Sequence, residues 1–184
     1  KQIKVKYKTE PDTYKVFFNI PDFFSWVVPE NEEIARIGCA SSSNVNQHFE
    51  NLINALNVKK ENIIEHEGAL IPKYAPSQKY QKDNIYLIGD AASLVKNISG
   101  GGLLPAIKSS HALADALNKK ESYKKELSKT VLKSLNLNYI TRKILNKFSE
   151  KDYDNLIKAL KEYKIESLDR DNLRYSDFIM RKIA

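Results

Sequence analysis

The sequence predicts a mixed α+β fold, with a mostly antiparallel sheet in its first part and helices in its last, and three observations lead there. Apolar residues alternate with polar ones through residues 1 to 40, which is the period of half-buried strands. Leu, Ile and Lys recur at helical spacing through the last third. Between them a short β-branched and aromatic run, Ile85 to Ile88, leads through a loop with three successive glycines into a helix start.

Each element follows from its local pattern. Ile3, Val5 and Tyr7 alternate with Lys and Gln, Glu10-Pro11-Asp12 supplies a turn, and Tyr14, Val16, Phe18 and Ile20 alternate again, which predicts a hairpin with one buried face. Phe24 to Pro29 and Ile34 to Ala40 form a second pair around Glu30-Asn31-Glu32-Glu33. Ser41, Ser42 and Ser43 offer caps to a helix carrying Val45, Phe49, Leu52, Ile53 and Leu56 on one face. Ile63 to Leu70 reads as a further strand, and a two-proline loop over 71–84 delivers the chain to Ile85 to Ile88. That run is wholly apolar apart from Tyr86, as expected of a strand buried between parallel neighbours. Tyr123 to Phe148 and Asp152 to Tyr163 are then helical. The expected divisions are 1–82, a sheet and its helix; 83–120, the glycine-loop segment; and 121–184, a helical region.

Composition narrows the function classes. Lys and Arg number 30 against 23 Asp and Glu, a net +7 in a chain of 184 residues, scattered in small patches. That is first a solvated surface; it also suits anionic lipid headgroups, and no nucleic-acid partner is expected from it. Arg142 and Lys143 are expected on a solvated helix face. Cys39 is the only cysteine, so no intrachain disulfide forms, a reducing interior is expected, and the residue reads as a small buried hydrophobe. No apolar run reaches the length of a bilayer and no signal-peptide pattern opens the chain, so a cytoplasmic protein is expected, at most peripheral at the inner membrane face. Lys1 stands first in place of Met, so the expectation is a trimmed product or the ordered part of a longer chain. His48, His66 and His111 have no metal-ligand spacing, and there is no Ser-His-Asp set, no Cys pair and no phosphate-loop motif, so no metal is expected.

The chemistry concentrates in Ile85 to Leu117. A strand ending in Gly89-Asp90-Ala91 projects a carboxylate at the carboxyl end of a sheet, where open α/β sheets bind ligands. Gly100-Gly101-Gly102 lets bare backbone lie against a planar ring, and the helix from Leu103 points its positive end at that ring. Strand, Gly-Asp-Ala-Ala, loop, glycines and helix together resemble the second FAD-binding motif of flavoproteins of the para-hydroxybenzoate hydroxylase type. The resemblance implies FAD as cofactor, a partial FAD-binding domain beside an antiparallel substrate-domain sheet, Asp90 on the ribityl chain, and Gly101 and Gly102 along the isoalloxazine. Gly89, Ala91, Gly100 and Leu103 complete the implied cofactor set.

A second stretch narrows the family. Phe24-Ser25-Trp26-Val27-Val28-Pro29, a spacer, then Gly38-Cys39-Ala40 is similar to the aromatic-x-Trp-x-Phe-Pro, spacer, Gly-x-Gly signature of geranylgeranyl reductases, the digeranylgeranylglycerophospholipid reductase family of archaeal membrane-lipid biosynthesis. The resemblance implies an oxidoreductase that saturates isoprenoid chains, with Phe24, Trp26, Pro29 and Gly38 around the substrate and Phe23 extending an apolar trough. From composition alone, Trp26 reads first as a core residue, and it is the resemblance that moves it to the substrate side. The chain departs from the pattern at Val28, where the signature prefers Phe, at Ala40 in place of its second glycine, at Ser93 in place of a usual Gly, and at Asn97 where Pro is common.

Flavoproteins of this type begin with a strand and Gly-x-Gly-x-x-Gly, which this chain lacks. The implied protein is therefore a C-terminal half that works with an N-terminal-half chain as a heterodimer. No proton donor stands out, and the catalytic residues stay unknown. Two other readings remain open: a flavin hydroxylase or halogenase on the same scaffold, and a non-catalytic basic binding module in which the glycine loop is only turn chemistry.

Overall fold

A computed structural model of the chain describes residues 1–162. The chain is mixed α+β, and its contacts divide it into one compact unit, Lys1–Leu70, and a second beginning at Ile71. The division falls ahead of the boundary expected at 82/83.

The first unit is a five-stranded antiparallel sheet. Its strands are β1 (Gln2–Lys6), β2 (Lys15–Phe17), β3 (Ser25–Pro29), β4 (Ile34–Cys39) and β5 (Ile63–Glu67), in the spatial order β2-β3-β4-β1-β5, and helix α1 (Val45–Ala55) lies between β4 and β5 in sequence. Alternation sends Ile3, Val5, Val27, Ala35, Ile37 and Cys39 to one face, all fully buried, and α1 covers them with Phe49, Leu52 and Ile53. Burial of each larger aliphatic or aromatic side chain contributes about 1.5–3 kcal/mol, so this face holds the unit together. Cys39 is part of that core, and burial pushes its thiol above the ordinary range.

Three local expectations are corrected here. The hairpin of β1 with residues 14–20 does not form: β1 pairs with β4 and β5, and β2 pairs only with β3. With both edges of β1 occupied, β2 is left as a three-residue edge strand, and Tyr14, Val16 and Phe18 are exposed. The serines do not cap α1, whose N-cap is Asn44 at φ 53° without a side-chain cap bond. The Ser41 hydroxyl and the Ser42 N–H instead donate to the Asp22 carboxylate, at 2.9 and 2.7 Å. Finally, β5 stops at Glu67, and Leu70 is 98% exposed.

The second unit is mainly helical. A two-stranded ribbon of β6 (Gln81–Lys82) and β7 (Ile85–Tyr86) leads into a 3₁₀ turn at Gly89–Ala92, then α2 (Leu103–Lys119), α3 (Tyr123–Leu127), a π-helical turn at Ser128–Leu132, α4 (Lys133–Leu145) and α5 (Glu150–Glu162). The buried parallel strand expected at Ile85 to Ile88 is corrected: β7 is two residues long and antiparallel to β6, with Ile85 67% and Ile88 40% exposed. Its apolar character therefore has no cover from any strand among the described residues. Residues 163–184, which include the end of the expected helical region, lie outside the described residues.

The core of this unit gathers Tyr74, Tyr80, Leu94, Ala112, Ala116, Tyr123, Leu127 and Leu135. Tyr123 is 1% exposed and its hydroxyl donates to the Leu87 carbonyl at 2.9 Å, two residues before the Gly-Asp turn. Burial pushes its phenol up to about 12. Tyr123→Phe strands that carbonyl and is expected to cost about 1–2 kcal/mol. Urea unfolding measures the loss, and an unchanged midpoint would show that the bond contributes nothing. Among the described residues no helix is long and apolar enough to cross a membrane.

Candidate functional site

The glycine loop is built around one 3₁₀ turn. Gly89 adopts φ +52°, which favours glycine, and a Cβ there would meet the Ala106 Cβ at 3.0 Å, so α2 packs directly on bare backbone. The Gly89 N–H donates to Ser109 Oγ at 3.0 Å, and that hydroxyl donates onward to the Ala106 carbonyl at 2.9 Å, tying the turn to the first part of α2. Leu94 N–H returns to the Gly89 carbonyl at 3.0 Å and Ser93 N–H to the Asp90 carbonyl at 2.9 Å. Ser93 holds φ +52°, which explains why a glycine suits this position.

Asp90 and Ala91 are exposed on this turn. Across from Asp90 stands Gly102, where a Cβ would lie 2.7 Å from Asp90 Oδ1, so only glycine leaves the carboxylate its place. Gly100 takes φ +70°, and the loop closes on itself through Lys96 N–H to the Gly101 carbonyl at 3.1 Å and Gly100 N–H to the Lys96 carbonyl at 2.9 Å. Gly101 is more open than Gly102, its nearest neighbour to an added Cβ being Ser99 Oγ at 3.3 Å. Buried Leu94 and Val95 anchor the loop from below, while Leu103 is 76% exposed at the start of α2. Pro105 lacks an N–H, so the free donors of the first turn are those of Leu103 and Leu104. A carboxylate, bare backbone and a positive helix end thus share one place. Such a place can accept hydroxyl hydrogen bonds and favour negative charge on a flat group lying over it.

Arg142 was expected on a solvated face, and that is corrected. It is 5% exposed, with Nε donating to the Asn97 carbonyl at 3.2 Å and Nη2 to the Ile98 carbonyl at 2.8 Å. Its neighbour Lys143 does face outward, over the Tyr139 ring at 4.6 Å, because successive helical residues point about 100° apart.

The substrate-side residues lie in the first unit. Trp26 on β3 pairs in register with Gly38 on β4, and a Cβ at Gly38 would come within 2.7 Å of the indole and 2.9 Å of the Lys1 carbonyl. The indole therefore lies across bare backbone. Its N–H donates to Gln2 Oε1 at 2.8 Å. Gln2 in turn donates to Glu67, which also accepts from Arg36, and Arg36 Nε donates to Glu30 at 2.6 Å. The bond from Arg36, then that from Gln2, holds the Glu67 carboxyl below its usual range; the bond from Lys4 leads in doing the same for Glu30. Phe24 meets Trp26 edge-on at 5.8 Å and stacks on Phe23 at 4.3 Å.

Phe23, Phe24, Trp26 and Gly38 are thus brought together. Pro29 is not: it closes β3, and alternation assigns it to the other face from Trp26. Gln2, Ser109 and Arg142 escaped the reading of the sequence. For Gln2 the signal was its place beside Lys4 on the polar face of β1; for Arg142 it was an Arg in a helix otherwise supplied with Lys. Among the described residues no group of His, Cys, Asp and Glu is placed to hold a metal ion.

No protein-family model matches the chain. It is 26% identical over 80% of its length to the digeranylgeranylglycerophospholipid reductase of Methanosarcina acetivorans, and 28% identical over 81% to that of Methanococcus aeolicus. It spans 41% and 42% of those two proteins, about two-fifths of their length. In fold, all of it is covered by half of a geranylgeranyl bacteriochlorophyll reductase-like protein from Thermoplasma acidophilum, with a TM-score of 0.74 at 21% identity. By sequence over four-fifths of its length the chain is similar to digeranylgeranylglycerophospholipid reductases, and over the whole of it the fold is that of half of the geranylgeranyl bacteriochlorophyll reductase-like protein.

Proposed function

We propose that this chain is part of an FAD-dependent reductase that saturates the geranylgeranyl chains of isoprenoid membrane lipids. The observation that carries the reading is the exposed Asp90 carboxylate facing bare backbone at Gly102, at the start of a 17-residue helix. Those residues fit FAD: the carboxylate suits ribityl hydroxyls, the glycines leave room for a ring, and the helix end suits the negative charge of a reduced one. When bound, FAD would supply hydride chemistry at a carbon–carbon double bond. Asp90 orients the cofactor, Gly100 to Gly102 keep side chains away from the ring, and Gly89, Ala91 and Leu103 shape the turn and helix start around it. Phe24 and Trp26, with Gly38 beneath the indole, offer an apolar surface for an isoprenoid chain that excludes water. The names of the relatives favour reduction of isoprenoid chains over a hydroxylase, a halogenase or a binding module.

The proposed partner is a polypeptide carrying the Gly-x-Gly-x-x-Gly domain. Exposed Ile85, Ile88, Leu103 and Ile107, all around the glycine loop in sequence, support it, as does the two-fifths coverage of the relatives. With net +7, peripheral contact with an anionic membrane face suits a lipid substrate. Co-expression of the chain with such a domain is expected to give a yellow complex that reduces geranylgeranyl lipid without oxygen. A colourless complex would sink the flavin reading, and a yellow one inert toward the lipid would sink the substrate reading. Within it, Trp26→Ala is expected to reduce turnover by tenfold or more while leaving FAD affinity within about twofold. Equal loss of both would make Trp26 a core residue only.

A further inference from the structure

Arg142 on α4 reaches the segment just before the glycines with both arms of its guanidinium, to the carbonyls of Asn97 and Ile98 at 3.2 and 2.8 Å. The same segment is tied from its other side: Asn97 Nδ2 donates to the Tyr74 carbonyl at 3.1 Å, and the Tyr74 hydroxyl donates to Asn136 Oδ1, again on α4, at 2.9 Å. So α4 holds the loop at two points. A planar trans peptide points its N–H opposite to its C=O. With the carbonyls of Asn97 and Ile98 turned to the guanidinium, the N–H groups of Ile98 and Ser99 are turned away from it. A buried cation is costly unless paired or bonded, and the charge-assisted bonds to the two carbonyls offset that cost. A lysine could not do the same, because a single ammonium lacks the planar fork that spans two acceptors.

We propose that Arg142 is a positioning residue for the glycine loop: from the helical region it sets the direction of the Ile98 and Ser99 N–H groups and the placement of Gly100 to Gly102. It also leaves a fixed positive charge behind the surface on which the flavin would lie. The second part rests on the FAD reading above. Arg142 also bonds the Tyr153 side chain, and toward the glycine loop it reaches the carbonyls of Asn97 and Ile98, so it acts through the loop and not on the cofactor.

The test compares the chain with Arg142→Lys and Arg142→Met, first without flavin. Hydrogen exchange at the bonded amides of Lys96 and Gly100 is expected to quicken about tenfold or more in Arg142→Met, with the first unit unchanged, and by less in Arg142→Lys. In the flavin-loaded complex, Arg142→Met is expected to bind FAD about tenfold more weakly and to show a lower midpoint potential, with Arg142→Lys in between. If Arg142→Met fails to fold, Arg142→Lys carries the comparison, since it keeps the charge and loses the fork. Wild-type exchange rates in both variants would overturn the proposal. Faster exchange with unchanged FAD affinity and potential would overturn its flavin part. Faster exchange in a chain whose wild type takes up no FAD in the complex would leave Arg142 as the loop's anchor and remove the flavin reading itself.

Discussion

Gly38→Ala is expected to destabilise the first unit by about 1–3 kcal/mol and to displace the Trp26 indole, because backbone already in contact with a ring does not accept an extra methyl. The added Cβ would lie 2.7 and 2.8 Å from two indole carbons and 2.9 Å from the Lys1 carbonyl, and the last of these belongs to backbone. The ring cannot simply swing aside, since its N–H is held by Gln2 at 2.8 Å and its edge by Phe24 at 5.8 Å. Movement of the indole gives up the Gln2 bond, a further 0.5–1.5 kcal/mol or so. Trp26 is the only tryptophan, so its emission reports this position alone. Urea unfolding and the emission spectrum check the result. An unshifted midpoint together with an unshifted emission maximum would mean that the indole does not lie over Gly38 in solution. On the proposed function, lipid reduction should fall with the displacement.

Asp90→Ala is expected to weaken FAD binding tenfold or more while the chain itself unfolds at its usual midpoint. The carboxylate is exposed on its turn, so removing it exposes no core. What it would remove is a charge-assisted hydrogen bond to a ribityl hydroxyl, worth about 1.5–3 kcal/mol. Gly102→Ala should weaken FAD binding by a different route, because its Cβ would come within 2.7 Å of Asp90 Oδ1 and push the carboxylate out of place. The two substitutions act on one group, so together they should cost less than the sum of each alone. Isothermal titration of FAD into the complex, over the four members of that cycle, tests the assignment. Wild-type affinity in Asp90→Ala would remove Asp90 from the cofactor site, and strict additivity would separate it from Gly102.

Much of this arrangement is legible in the sequence. The β3–β4 hairpin came from two apolar runs and one turn, α1 from its apolar spacing, and α2 from the glycines that precede Leu103. All of these are decided within about a dozen residues, by backbone preferences and hydrophobic period that neighbouring residues share. The motif residues Asp90 and Gly102 also came from local pattern, and the structure adds that glycine at 102 leaves the Asp90 carboxylate its place.

What the chain's own pattern determined, then, is the character of each element and the chemistry it carries: strands with one apolar face, a carboxylate after a short apolar run, bare backbone before a helix; that the carboxylate sits on a 3₁₀ turn came from the fold. Tertiary structure alone decided partnership. β1 could have paired with β2, as its turn suggested, but it pairs with β4 and β5, because a strand's ladder is satisfied by whichever neighbours bury its apolar face best, at any distance in sequence. The same holds for single side chains. Gln2 meets Trp26 across 24 positions and Arg142 meets Asn97 across 45, and nothing near either residue announces the other. A long polar side chain looks solvated in sequence; only the folded chain shows whether a buried carbonyl stands within its reach.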